Sequence, residues 1–211
     1  MTSIRDLYLI AAESAVGLLA DPAVTERWDD PSALEEFSVR GLAGHLALQL
    51  FRTEQLVDAE ATPAETSSIE RHYSAARWIS AIDTPDNVRV RDGGEQLAAD
   101  GRDALVQRAG ATLDRLRELL PAQPADRMVF VPWTGWQMTL DDLLFTRMLE
   151  LTVHSDDLAV SVDVPTPDLP LEVYEPVLAQ LTRMSVELHG PVAVLRALAR
   201  RERAPETIAA I

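Results

Sequence analysis

Apolar residues recur at three- and four-residue intervals over most of this chain, the spacing that lines one face of an α-helix. Ile4, Leu7, Tyr8, Ala11, Ala15, Leu18 and Leu19 predict a helix over residues 3–20, and Ser3 followed by Asp6 resembles a capping box at its start. Asp21-Pro22 stops it, because the residue before a proline is pushed out of the helical region. Asp29 to Phe37, with Pro31 and mixed charges, reads as a connector. Ser38 then caps a second helix to about Glu60, with Val39, Leu42, Leu46, Leu50 and Val57 as its stripe. A shorter helix capped by Ser67 or Ser68 is expected through Trp78 and Ile82, broken between Asp83 and Asp86 around Pro85. Leu97, Leu105, Leu113, Leu116 and Leu120 predict a third long helix from roughly Gly94 to Leu120, ended by Pro121. Met128 to Trp136 is short, apolar and rich in aromatic and β-branched residues, an extended strap. Thr139 with Asp142 opens a fourth long helix to about Val160. Pro165, Pro167 and Pro170 then break the chain before two weaker helical segments at 171–189 and 191–203.

Four long amphipathic helices with little strand signal predict an all-α fold, an antiparallel four-helix bundle with long connections and extra C-terminal helices. The expected division is a bundle over residues 1–165 and a helical extension over 166–211 packed on it. A length of 211 residues suits one such core. The 34 acidic against 19 basic residues give a net charge of -15, which repels phosphate backbones and anionic lipids, so nucleic acid and membrane partners are not expected. Arg196, Arg200, Arg201 and Arg203 cluster near the end and read as a solvated face or a mate for the acidic body. Asp6 and Glu13 interrupt the first twenty residues, which leaves no signal-like apolar run and makes the cytoplasm the expected location, as monomer or homodimer. With no cysteine, neither a thiolate metal site nor a protein thiol nucleophile is available.

The informative segment runs from Arg147 to Asp157. At 100° per residue, Arg147, Glu150, His154 and Asp157 fall within roughly 80° of one another, a polar stripe beside Leu144, Leu151 and Leu158. Ionisable groups at the border of an apolar face persist only if paired, protonated or coordinated. Glu150 and His154 stand one turn apart and can converge on one cation, as in metal sites built on facing bundle helices. His45 is the candidate third ligand, in Gly41-Leu42-Ala43-Gly44-His45-Leu46-Ala47 at the edge of the second helix's stripe. Gly41 and Gly44 each cost about 1 kcal/mol of helix propensity, which points to another backbone crossing closely there. A His2Glu set leaves a fourth position of zinc open, the arrangement of a catalytic site. The same spacing also fits a solvated Glu/His pair, with Arg147 bonded to Glu150 three residues on. His72 and His189 lack acidic or histidine neighbours at helical spacing and are not read as ligands. Trp133 and Trp136 are read first as core packing, with the lining of a pocket mouth as the alternative.

Gly44-His45-Leu46-Ala47, the Arg147…Glu150…His154…Asp157-Leu158 pattern, the connector before Ser38 and the Pro132-Trp133 strap together resemble the metal-binding domain of the mycothiol-dependent maleylpyruvate isomerase family, a DinB-like four-helix bundle. The resemblance spans about residues 1–165. It implies that His45, Glu150 and His154 hold zinc, and that mycothiol or another small thiol enters the open position and attacks a small electrophile, as an isomerase or an S-transferase. It further implies that Arg147 clamps a substrate carboxylate or neutralises Glu150, and that Asp157 holds the free ring nitrogen of His154. Phe37 stands where the family commonly has tryptophan and keeps an aromatic contact. After Pro170 some forty residues of helical character follow where the isomerase carries an α/β domain, so the isomerase's own substrate is not implied. Two other readings stay open: a zinc hydrolase, ranked lower because no His-Glu-x-x-His is present, and a noncatalytic metal-binding or regulatory module.

Overall fold

The computed structural model describes residues 2–60, 62–74 and 84–211. Helix α1 (Ile4–Leu19) starts on a complete capping box: the Ser3 hydroxyl accepts from the Asp6 amide, and the Asp6 carboxylate accepts from the Ser3 amide. Asp21 ends that helix region and caps the next, its side chain accepting from the Ala23 amide ahead of α2 (Pro22–Glu26). Periodicity gives no sign of α2, because a five-residue helix with Val24 as its buried residue has no pattern to show. Helix α3 (Val39–Asp58) begins on Ser38, whose hydroxyl accepts from the Gly41 amide. Helix α4 (Ile69–Ser74) follows, and the expected continuation through Trp78 and Ile82 lies outside the described residues.

The single helix expected from Gly94 to Leu120 is in fact two. Thr84 caps α5 (Pro85–Leu97) with Pro85 in its first turn, so the proline read as a breaker is an initiator. The chain turns at Gly101, whose φ of +91° suits a residue without Cβ, and α6 (Arg102–Ala122) follows. The leucine spacing hides this break because Leu97 and Leu105 pack on the same core from either side of it. Pro121 sits in the last turn of α6, one residue before its end.

The strap is a hairpin in which β1 (Met128–Val131) pairs antiparallel with β2 (Trp136–Thr139), with Met128 opposite Thr139 and Val131 opposite Trp136. Thr139 accepts from the Asp142 amide and caps α7 (Leu140–Val162). Helices α8 (Leu171–His189) and α9 (Pro191–Ala199) meet at Gly190, and a short 3-10 turn, Arg201–Arg203, replaces the expected end of the last helix.

The four long helices close a ring, α1 against α7, α7 against α3, α3 against α6 and α6 against α1, so the fold is the all-α bundle. Tyr8, Leu46, Leu50, Leu116, Leu144 and Met148 fill it and are fully buried. Helix α5 packs outside the ring on α3, and α8 lies against α7 and α1. No helix of the described residues is long and apolar enough to cross a membrane.

The glycines of α3 are where another backbone crosses. A Cβ on Gly44 would lie 2.0 Å from the Gly94 carbonyl oxygen of α5, and one on Gly94 would lie 2.2 Å from that of Gly41. This contact fixes α5 on α3 one residue from His45.

Candidate metal centre

His45 comes from α3, and Glu150 and His154 come from successive turns of α7, the ring neighbour of α3. Nε2 of His154 lies 3.3 Å from Glu150 Oε2, and Nε2 of His45 lies 3.6 Å from the same oxygen. One donor atom from each of the three residues falls within 4.8 Å of the others, a group that can hold a metal ion. Two ligands held by one zinc at about 2.0–2.2 Å and tetrahedral angles stand roughly 3.4 Å apart, so the nitrogen-to-oxygen spacings fit such an ion. The two imidazoles meet edge to face with centroids 4.7 Å apart, and Phe37 closes on His45 at 6.0 Å.

Residues around the triad set the direction of each ring. Nδ1 of His154 is 2.9 Å from Asp157 Oδ2, which turns Nε2 toward Glu150. His45 is buried, and among the described residues its Nδ1 has no hydrogen-bond partner and its Nε2 has long contacts, 3.4 Å to Gln49 Nε2 and 3.6 Å to Glu150. The nitrogen that faces Glu150 is Nε2, so Nε2, and not the unpartnered Nδ1, is the His45 atom placed to meet a cation.

The expected Arg147–Glu150 ion pair does not form. Arg147 is buried and reaches across to α3, donating to Gln49 Oε1 at 2.7 Å and to Thr146 Oγ1 at 3.2 Å. Gln49 in turn donates to the His45 carbonyl at 3.0 Å, so it bridges Arg147 to the helix that carries His45. Arg147 still acts on Glu150 through its charge. Burial works against ionising Glu150, but hydrogen bonds from His154 and His45, with the charges of His154 and Arg147, outweigh it and hold the carboxyl well below its usual range. Burial opposes the charge on His154 too, and there Asp157 and Glu150 prevail and raise the imidazole to about 9. His45 goes the other way, pushed down by burial more than Glu150 restores.

Against this geometry, the family model described as the mycothiol maleylpyruvate isomerase N-terminal domain matches residues 9–159. The chain belongs to that family. No curated protein and no solved structure matches it. The match to the mycothiol maleylpyruvate isomerase N-terminal domain takes in α3 and most of α7, with His45, Glu150, His154 and Asp157 all inside it, and stops short of α8.

In this mycothiol maleylpyruvate isomerase N-terminal domain the surroundings of the triad hold residues that the sequence reading passed over. Gln49 and Arg52 follow His45 at i+4 and i+7, on the same face of α3, and that spacing was the available signal. Tyr73 is buried, its hydroxyl has no hydrogen-bond partner among the described residues, and it feels the charges of Glu150 and Arg147. It arrives from α4 by tertiary packing on α7, for which the sequence carries no mark. His72, beside Tyr73 and Trp136, is buried and outside the triad. His189 bonds the Ala209 carbonyl at the far end of the chain. Trp133, read first as core, is 39 % exposed at the hairpin turn, with the Arg52 guanidinium 4.3 Å above its ring.

Proposed function

We propose that this chain binds one divalent metal ion, zinc, through His45, Glu150 and His154, and that the site activates a small thiol, mycothiol, for attack on a small electrophile. The observation that carries the reading is the convergence of the two Nε2 atoms on one carboxylate oxygen of Glu150. The family description, which names mycothiol, supports the choice of thiol. A chain without cysteine must take its thiol from outside. Zinc held by three protein ligands keeps a fourth position for such a thiol and stabilises it as the thiolate at neutral pH.

The chain's own groups then have distinct tasks. Asp157 keeps the proton of His154 on Nδ1 and leaves Nε2 as the ligand atom. Gln49 fixes the Arg147 guanidinium near Glu150, where its charge adds to the larger effect of His154 and His45 in favouring the carboxylate without competing for its oxygens. Phe37 shields the His45 ring from one side. A thiolate that adds to an activated double bond, allows rotation and is then eliminated gives isomerisation; one that displaces a leaving group and stays gives S-transfer.

Elemental mass spectrometry of purified protein tests the site. The expected result is near one zinc per chain, with little in His45→Ala and Glu150→Ala, both still helical by circular dichroism. A full equivalent retained by either variant overturns the ligand set. Zinc-loaded protein that turns over no thiol–electrophile pair would leave a noncatalytic metal module.

A further inference from the structure

Helix α9 turns its apolar face to water. At 100° per residue Val192, Leu195 and Leu198 fall within about 120° of one another. They are 55 %, 65 % and 71 % exposed, and Val194 is the buried residue of this helix. Leu198 also borders a groove of about 270 Å³ lined by Leu178 and Ile211, both more than half exposed, and by Val153 of α7, the residue before His154. Among the described residues, seven of the ten large apolar side chains left in water follow Pro170, so the exposure is concentrated at this end of the molecule. The last residues are tied down there, with Ser185 donating to the Ile208 carbonyl at 2.7 Å and His189 bonding that of Ala209 at 2.8 Å. The face is therefore a packed surface and not a frayed end.

Symmetry and charge together say what covers it. Leu195 is the fifth of the nine residues of α9, with Val192 and Leu198 three residues to either side. Two such faces laid antiparallel about a twofold axis match themselves: Leu195 meets its twin, and each Val192 meets the partner's Leu198. From Pro191 to Arg203 four arginines stand against Glu202, a net +3, which leaves -18 on the rest of a chain of net charge -15. Arg196 and Arg201 have no carboxylate partner among the described residues, and Glu187, exposed three residues before the Gly190 turn, has no cationic one. A parallel pairing would set +3 against +3. The antiparallel one carries each arginine cluster to the far end of the pair, beside the partner's Glu187. A nine-residue helix is about 13 Å long, more than the Debye length of about 8 Å at physiological salt, so the two clusters are screened from each other. Val192, Leu195, Leu198, Leu178 and Ile211, at on the order of 100 Å² each, give about 1,000 Å² over two copies, the size at which specific interfaces begin. An anionic bilayer also suits leucines among arginines, but it makes no use of the placement about Leu195 and repels Glu187.

We propose that α9 is the twofold interface of a homodimer, in which two copies of this chain pair antiparallel through Val192, Leu195 and Leu198, with the arginines past Ala199 facing the partner's Glu187. The pairing needs neither a metal nor a thiol, so it stands or falls separately from the function proposed above.

Sedimentation equilibrium on metal-stripped full-length protein tests it. The expected wild-type mass is twice the 23.2 kDa of one chain, with a Kd of about 10 μM or tighter. Leu195→Glu sets two carboxylates together on the axis and should weaken the dimer at least about 100-fold, with an unchanged circular dichroism spectrum because the position is exposed in the single chain. Val88→Glu, an exposed site on α5 outside the ring, should leave the dimer intact. Glu187→Arg should weaken it about tenfold, and adding Arg201→Glu and Arg203→Glu to that variant should restore it. The absence of cysteine permits a direct test of the axis. Leu195→Cys should give a disulfide-linked dimer under mild oxidation, and Val88→Cys should not. A wild type that is monomeric at about 100 μM overturns the proposal, whatever its zinc content. So does a dimer that persists in Leu195→Glu, or cross-linking through Val88→Cys as readily as through Leu195→Cys. Monomeric protein that pellets with phosphatidylserine vesicles would give the face to a membrane instead of a second copy.

Discussion

Asp157 lies outside the group of His45, Glu150 and His154, yet it sets the direction of the His154 ring. Its carboxylate accepts a hydrogen bond from Nδ1 at 2.9 Å and aims Nε2 at Glu150. Removing that acceptor charge should lower zinc affinity by about 10–100-fold while one equivalent still binds at saturation, which competition with a chromophoric chelator on Asp157→Asn will measure. Unchanged affinity would show that the ring is positioned by packing alone. His72 permits a second prediction, on stability. Burial, helped by Arg147, pushes its imidazole down from 6.5 to about 4. The unfolded chain then binds a proton that the folded chain resists, so the contribution is fully present above pH 6.5 and is lost as the pH falls through the window down to 4. Over that window it amounts to about 3 kcal/mol. Urea unfolding of metal-stripped His72→Gln should accordingly show a shallower decline than wild type between the same pH limits, and parallel curves would mean that His72 already titrates as in the unfolded chain.

The crossing of α3 and α5 is the element-scale device that sets His45 in place. Gly94→Ala puts a Cβ 2.2 Å from the Gly41 carbonyl oxygen, and backbone cannot yield as a side-chain end can. A loss of about 2–4 kcal/mol is expected in chemical denaturation. Gly93→Ala, next to it in the same helix and with nothing within 4 Å of its Cβ, should instead stabilise by about 0.5–1 kcal/mol. If both variants behave alike, the close approach is not what these glycines serve. The sequence made half of this device legible: Gly41 and Gly44 inside a strong helical pattern announced a backbone neighbour, but nothing in their spacing said that the neighbour was Gly94. Caps were equally legible at Ser3, Ser38 and Thr139, because a cap is a contact within four residues. The break between α5 and α6 was not, since the leucine spacing runs on across Gly101 and a lone glycine marks a turn only when the chain takes a positive φ there. Among site residues, Glu150, His154 and Asp157 share one helix face and could be read by counting, whereas pairing them with His45 needed a second helix and the resemblance. The hydrogen-bond partner of Arg147 needed the second helix too. Its partner by sequence distance was Glu150, but packing offered it Gln49.

At the scale of the whole molecule, a metal at the triad would tie residue 45 to residues 150 and 154 and so join two neighbouring sides of the helical ring. Such an ion binds the folded chain far better than the unfolded one, where His45 is separated from Glu150 and His154 by more than a hundred residues of sequence. Stability then rises with free zinc as RT ln(1 + [Zn]/Kd), about 2.7 kcal/mol at a hundredfold excess over Kd. For a chain of this length each kcal/mol moves Tm by roughly 2–4 °C, so zinc should raise the wild-type Tm by about 5–10 °C. The control must separate this site from the many carboxylates of a chain with 34 acidic residues, which bind cations loosely. Surface carboxylates stay exposed when the chain unfolds, so ions held by them favour neither state and shift Tm little. His45→Ala removes one ligand of the triad and no surface charge, and it should abolish the rise. A zinc-dependent rise that survives in His45→Ala would place the ion elsewhere and detach α3 from the centre, whatever Glu150 and His154 do on α7.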